Sequence, residues 1–178
     1  MSKYLAIASF LGAATLSSAG VYSINSGIPN GDLGFGGSTS LVYWSTSFTV
    51  AAGNETITSV DAMIGRAGTG SATNGSAIRV SVSHDADHDG IADAGGLLAD
   101  LNTVVSGANT NIFTTFDTAD VTLSVGDGFV VSCLMESNAA NPSPVALDSS
   151  ASVAGRNFIA FGAPSIRITS WPRPQTAL

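Results

Sequence analysis

Positive charge is scarce in this sequence, which has six lysine and arginine residues against 13 acidic residues in 178. Lys3 is its only lysine. A chain with a formal net charge of −7 repels the phosphates of nucleic acids, so we expect no nucleic-acid partner. Charged residues make up only 11% of the chain, and solubility must therefore depend on surface Ser, Thr, Asn and Gly.

Cysteine is nearly absent as well, since Cys133 is the single one. One thiol cannot form an intramolecular disulfide, so the fold must be stabilised by its core. Cys133 stands in the apolar segment 129–136, where we expect it to be a buried small side chain and not a nucleophile. Helical periodicity of apolar residues is also almost absent after residue 20, which argues against a helical domain.

Long apolar runs are limited to the N-terminus. Residues 4–16 are almost entirely apolar, Lys3 precedes them, and small residues follow at 17–19. This is the pattern of a secretory signal peptide, and the run is too short to cross a bilayer as a helix. We therefore predict a signal peptide over residues 1–19, cleaved after Ala19. The alternative is that the segment is retained and packs on the domain as an apolar strand or a short helix.

The rest of the chain is expected to form one domain over residues 20–170, followed by a short proline-rich tail over residues 171–178. From residue 20 onward there are five arginines and no lysine against 13 acidic residues. No later apolar run is long enough to span a membrane. The sequence thus predicts a secreted, extracellular product without stable membrane insertion.

Short runs rich in β-forming residues recur through this domain, separated by Gly, Asn, Asp and Ser. Residues 41–50 alternate apolar and polar side chains, which predicts a half-buried strand, and residues 129–136 predict a central one. We count about nine or ten short strands. The number favours an all-β, single-domain, jelly-roll-like β-sandwich, because an immunoglobulin-like sandwich has about seven strands in its simplest form and, in antibody domains, a Cys…Trp…Cys core.

The most informative motif is Asp85-Ala86-Asp87-His88-Asp89-Gly90. Three carboxylates at alternate positions, followed by glycine, match the first half of an EF-hand-like calcium loop. A tightly turning loop aims such carboxylates at one point, and the glycine lets the next carbonyl, that of Ile91, approach the same ion. We predict a Ca²⁺ site with the ligands Asp85, Asp87, Asp89, Ile91 and Asp93.

The match is incomplete, and two alternatives are open. Gly96 stands where an EF-hand has a bidentate glutamate, and no long amphipathic helix flanks the loop, so we expect it to join two β-strands. The first alternative is a polar turn without an ion. The second is a zinc site that uses His84 and His88, which the oxygen-rich set of aspartates disfavours.

Several runs together resemble a known class of modules. In chain order, these runs are Trp44-Ser45-Thr46-Ser47-Phe48, Glu55-Thr56-Ile57-Thr58-Ser59-Val60, Val80-Ser81-Val82 with the Asp motif after it, Leu123-Ser124-Val125-Gly126-Asp127-Gly128-Phe129-Val130-Val131, Ala146-Leu147-Asp148 and Gly155-Arg156-Asn157-Phe158. Their order over residues 21–170 resembles secreted β-sandwich modules of bacterial surface proteins, often found with PEP-CTERM-type sorting tails. The resemblance implies a structural ion in the Asp-rich insertion. We see no sorting tail in residues 171–178 and expect a released, assembled or partner-held product.

These observations favour a non-enzymatic extracellular structural or adhesive module, stabilised by calcium and able to self-assemble in a filament or matrix. Its expected partners are other surface or matrix proteins or copies of itself. No catalytic set is evident: Glu55 and Glu136 are the only glutamates, and the remaining acids outside the Asp motif are scattered. Glycoside hydrolysis needs two acids across a cleft, so we expect no enzyme.

The alternative function is that of a carbohydrate-binding module of the bacterial cell surface. Such modules stack aromatic rings on sugars, and the candidate rings here are those of Tyr43, Trp44 and Trp171. Aromatic residues make up only 7% of the chain, and Trp44 shares a strand face with apolar residues, so core packing is the competing role. An exposed pair of aromatic rings on one sheet face would favour sugar binding.

Overall fold

The computed structural model describes residues 21–23, 29–36, 39–68, 72–148 and 156–162. None of these residues is helical, and they form nine strands, which confirms the predicted all-β fold. The strands are β1 (Gly31–Leu33), β2 (Ser40–Thr49), β3 (Thr56–Ala62), β4 (Ala77–His84), β5 (Leu97–Val104), β6 (Thr114–Thr122), β7 (Gly128–Ser137), β8 (Val145–Leu147) and β9 (Asn157–Gly162).

The predicted signal peptide over 1–19 and the proline-rich tail over 171–178 lie outside the described residues. Within the described residues, no helix has the length and apolar character needed to cross a membrane.

The largest sheet is antiparallel and has the strand order β5-β4-β7-β2-β9. The middle strand, β7, is buried along most of its ten residues, as its continuous apolar sequence predicts for a strand with both faces covered. It pairs with β2 on one side and with β4 on the other. The prediction that residues 129–136 form a central strand is therefore confirmed.

A second antiparallel pair, β3 with β6, contributes to the same hydrophobic core as the large sheet. The buried positions of β3 and β6 alternate with exposed ones except at an irregularity in their pairing, so that one face of this pair supplies the core. The core side chains include Ile57 and Val60 from β3, Phe116 and Val121 from β6, Ile78, Val80 and Val82 from β4, and Phe129, Cys133 and Met135 from β7. This shared core is compatible with the predicted sandwich, and the jelly-roll-like strand order stays a prediction.

Cys133 lies in this core with only 3% of its surface exposed, as the sequence predicts. Burial raises the pKa of its thiol to about 12, because the charged thiolate is disfavoured away from water. The thiol therefore stays protonated at neutral pH and acts as a small apolar side chain.

The loops gather at the two ends of the large sheet. The loop of residues 85–96, which we call the acidic loop, joins β4 to β5 where β4 meets the start of β7. Loops from residues 63–68, 72–76, 105–113 and 138–144 contact one another at the opposite end, which we call the amide end because asparagine side chains hold it together. Aspartate carboxylates thus accept backbone amides in the acidic loop, whereas asparagine side chains accept them at the amide end.

A β-bulge interrupts the pairing of β3 with β6. The register shifts between Ile57 and Ser59, so that residues 118–120 of β6 oppose Thr58 alone. Thr118 is buried in this bulge, and within the described part of the chain its Oγ1 atom has no hydrogen-bond partner. A buried hydroxyl without a partner lowers stability, because it has lost its bonds to water and gained none in exchange.

We expect Thr118→Val to raise the free energy of unfolding by about 1–2 kcal/mol, because it replaces this hydroxyl with a methyl group of similar size. The measurement is urea denaturation of both proteins. Thr46→Val is the matched control, since Thr46 Oγ1 bonds Asn157 Oδ1 at 3.0 Å, and its loss should cost about 1 kcal/mol. Equal destabilisation by both variants would show that the Thr118 hydroxyl is partnered in solution.

Candidate metal centre

The acidic loop is attached to the central strand at its first residue. The Asp85 amide donates a hydrogen bond of 3.0 Å to the carbonyl of Gly128, the first residue of β7. This bond continues the pairing of β4 with β7 beyond the last residue of β4, His84. The adjacent residue of β7, Phe129, is buried in the core, so the loop starts from a fixed position.

Asp85, Asp87 and Asp89 are brought together within this loop. One carboxylate oxygen from each lies within 4.8 Å of the others. Asp85 is 2% exposed, whereas Asp87 and Asp89 are exposed to solvent. Three of the five predicted ligands therefore form one cluster, with a buried carboxylate on one side and water on the other.

Backbone amides from within the loop orient the three carboxylates. The Gly90 amide donates to both carboxylate oxygens of Asp85, at 3.1 and 3.3 Å. The Asp89 amide donates to Asp87 Oδ1 at 3.4 Å, and the Ile91 amide donates to Asp89 Oδ1 at 2.8 Å. Each oxygen keeps a further lone pair that a cation could use.

Glycine is required at position 90, where the backbone has a φ of 84°. This left-handed conformation turns the chain so that the Gly90 amide points back at Asp85. The sequence motif anticipated this turn. His88 also has a positive φ, 57°, and its amide donates to the Asp85 carbonyl, which closes the loop further.

Asp93 forms hydrogen bonds within the acidic loop. Its Oδ2 atom accepts the Ala86 amide at 2.9 Å, and its own amide donates to the His84 carbonyl. The structure thus shows Asp93 bracing the start of the acidic loop, outside the cluster of three. The proposed ligand roles of Asp93 and of the Ile91 carbonyl stay predictions.

Burial and the neighbouring carboxylates disfavour the charged form of Asp85. Burial is the largest effect and raises the pKa of Asp85, and the neighbouring charges of Asp89 and Asp87 raise it further. The hydrogen bond from the Gly90 amide opposes these effects without cancelling them. A cation at the cluster would remove both the repulsion and part of the cost of burying the Asp85 charge.

The donor set consists of oxygen atoms. Among the described residues, the cluster contains three aspartates and includes neither His84 nor His88. Carboxylate oxygens suit hard cations such as Ca²⁺ and Mg²⁺, whereas imidazole suits zinc. The arrangement can therefore hold a hard divalent cation, and the zinc alternative gains no support from it.

Gly128 is a residue of the site that the sequence reasoning missed. A Cβ atom at this position would collide with the Asp85 carbonyl oxygen and lie 2.9 Å from His88 Nδ1. The signal in the sequence is weak, because Gly126-Asp127-Gly128 before an apolar run is typical of any turn. Gly128 matters because the acidic loop packs on it. That loop lies more than 30 residues earlier in the chain, so no local pattern relates the two.

The aromatic candidates for sugar binding do not form a platform among the described residues. Tyr43 is buried, Trp44 packs against the core, and Trp171 lies outside the described residues. Phe35 and Phe161 are partly exposed, but their rings meet edge to face at 84°, with centroids 4.7 Å apart. Such a pair does not present two coplanar faces to one sugar.

Comparison with protein-family models, with curated proteins and with solved structures gives no significant match for this chain.

We expect Gly128→Ala to lower the free energy of unfolding by about 1–3 kcal/mol, because the added methyl group must displace the Asp85 backbone. Chemical denaturation gives the value. Gly31→Ala is the matched control in another strand, since a Cβ there makes only ordinary contacts with Leu147, at 3.7 Å or more. A Gly128→Ala protein as stable as this control would mean that the loop does not rest on Gly128.

We also expect a specific pH dependence in protein stripped of metal with EDTA. Because the pKa of Asp85 is raised above its ordinary value of 3.8, the folded state holds this proton more tightly than the unfolded state. The contribution of Asp85 to stability is therefore complete below pH 3.8 and is lost as the pH rises through its folded pKa. Asp85→Asn has no carboxyl group at this position and therefore lacks this pH-dependent loss. As the pH rises through this range, the free energy of unfolding of the wild type should fall relative to that of the variant, as measured by denaturation curves. Parallel pH profiles would contradict the prediction.

Proposed function

We propose that this chain is a non-enzymatic extracellular structural or adhesive module whose acidic loop binds Ca²⁺. The observation that carries the proposal is the cluster of Asp85, Asp87 and Asp89, whose carboxylate oxygens lie within 4.8 Å of one another. One of these carboxylates is buried, which is costly for a charged group without a counter-ion.

Calcium fits this cluster better than other common cations. It takes six to eight oxygen ligands in a flexible geometry, whereas Mg²⁺ demands a near-ideal octahedron and retains its water. Asp85, Asp87 and Asp89 supply carboxylates, and the exposed side of the cluster leaves room for water ligands. The Ile91 carbonyl and the second carboxylate oxygen of Asp93 are the further ligands in this proposal.

Such a site would stabilise the whole domain. The loop connects β4 to β5 and is hydrogen-bonded to β7, so an ion that fixes it also fixes three strands of the large sheet. Extracellular modules bind calcium at dissociation constants of about 10⁻⁴–10⁻³ M, a range that fits a partly open site. At a free-ion concentration of 100 times the Kd, binding adds about 2.7 kcal/mol to stability.

The adhesive or assembling role is supported by the signal-like N-terminus and by the sheet itself. Among the described strands, β5 and β9 are the terminal strands of the large sheet. An edge strand can pair with a strand of another chain. On β5, Leu97 and Val104 are exposed apolar side chains that would strengthen such a contact. The proposed partners are copies of this chain or other surface and matrix proteins.

We expect calcium to raise the melting temperature of the wild-type protein relative to EDTA, because the ion neutralises the cluster. Asp85→Asn should melt at the same temperature in both conditions, and in EDTA at pH 7 it should be at least as stable as the wild type. Asp120→Asn, an exposed position on β6, is the control for a simple change of net charge and should keep the calcium response.

The metal proposal fails if wild-type melting ignores calcium and elemental analysis finds no bound ion. Size-exclusion chromatography and electron microscopy with and without calcium test assembly separately. Oligomers or filaments that grow with concentration support the assembling role. A monomer at all concentrations that binds no surface component removes it, whatever the outcome for the ion.

A further inference from the structure

We propose that Asn74 is a deamidation site whose reactivity is controlled by opening of the amide end. The chain contains two Asn-Gly pairs, Asn30-Gly31 and Asn74-Gly75. Glycine after asparagine is the most permissive neighbour for this reaction, because it has no side chain to obstruct the attacking nitrogen. Asn74 and Gly75 are both exposed, so water has access to them.

The reaction needs only water as a co-reactant. The Gly75 backbone nitrogen attacks Asn74 Cγ and loses its proton, a C–N bond forms, and the side-chain nitrogen leaves as ammonia. Water then adds to one of the two carbonyls of the resulting cyclic imide. Its opening yields either aspartate or isoaspartate, and no oxidation or reduction takes place. The step requires that the Gly75 nitrogen and the Asn74 side chain are free to approach each other.

In the folded structure, both reacting groups are held in hydrogen bonds to the β5–β6 connection. The Gly75 amide donates to the Val105 carbonyl at 2.9 Å, and Asn74 Oδ1 accepts the Ala108 amide at 2.8 Å. A hydrogen bond of 3.2 Å from the Ser76 amide to the Thr73 carbonyl closes a β-turn around the pair, with Gly75 at a φ of 87°. Attack therefore requires the turn to separate from the β5–β6 connection.

Asn141 holds this turn in place without taking part in the chemistry. Its Oδ1 atom accepts the Thr73 amide at 2.8 Å and the Ser76 hydroxyl at 3.0 Å. Asn141 is itself 4% exposed, so these bonds are shielded from water. Loss of the Asn141 side chain should raise the population of the open turn and leave the reactivity of the unfolded chain unchanged.

Deamidation at Asn74 would be irreversible in its structural effect. Isoaspartate adds one carbon to the main chain, which displaces the Gly75 amide from Val105 and the closing bond of the turn. Each molecule that forms isoaspartate would have a loosened amide end, and either product carries one more negative charge. The fraction of molecules deamidated at Asn74 would thus rise with the total time that the amide end has been open.

The test is peptide-resolved mass spectrometry of the full chain incubated at pH 8, either native or in concentrated urea. We expect Asn74 to gain the mass of deamidation far more slowly in the native protein. The ratio of the two rates should equal the hydrogen-exchange protection of the Gly75 amide, because the same opening limits both. Equal rates in the native and the urea samples would overturn the proposal.

Asn141→Ala should accelerate native deamidation at Asn74 about tenfold, since it removes two hydrogen bonds that hold the turn. Its rate in urea should not change. Asn102→Ala, an exposed position on β5, is the control and should change neither rate. No acceleration at Asn74 in the native protein, or an equal acceleration in urea, would refute control by the amide end.

Discussion

The hydrogen bond between the Asp85 amide and the Gly128 carbonyl is the contact on which the acidic loop depends. It brings the loop directly onto β7, and it buries the Asp85 carboxylate beside the core instead of leaving it in water. A glycine is needed at position 128 for the two backbones to come this close. The burial that follows from this contact is the largest cause of the raised pKa of Asp85, and the three carboxylates that meet there could hold a metal ion.

The sequence predicts those features that depend on neighbouring residues. Alternating apolar side chains identify β2, and the continuous apolar run identifies β7 as central. The spacing of Asp85, Asp87 and Asp89 is enough to predict that they converge, because their positions are set by a short turn with Gly90 at its sharpest point. The all-β class follows from the same local patterns.

Features that depend on distant residues could not be predicted in this way. Residues 21–23 form no strand, and the contacts of Tyr22 are made with residues far along the chain. Its ring packs edge-on against Phe129, and its hydroxyl bonds the turn at Ala51 and Asn54. Asp93 braces Ala86 because the loop folds back, which spacing alone does not reveal. The pairing of β2 with both β7 and β9 likewise joins segments that no local pattern relates.

That pairing has a consequence for how the molecule acquires its structure. Because β2 is flanked by β7 and β9, the large sheet cannot be completed before residues 157–162 are present. Sheets formed from contacts so remote in sequence fold slowly, since the entropy of closing large loops must be overcome before any pairing is gained. In a nascent chain, β4 can pair with β5 and with β7 earlier, but one edge of β2 stays unpaired until residues 157–162 emerge.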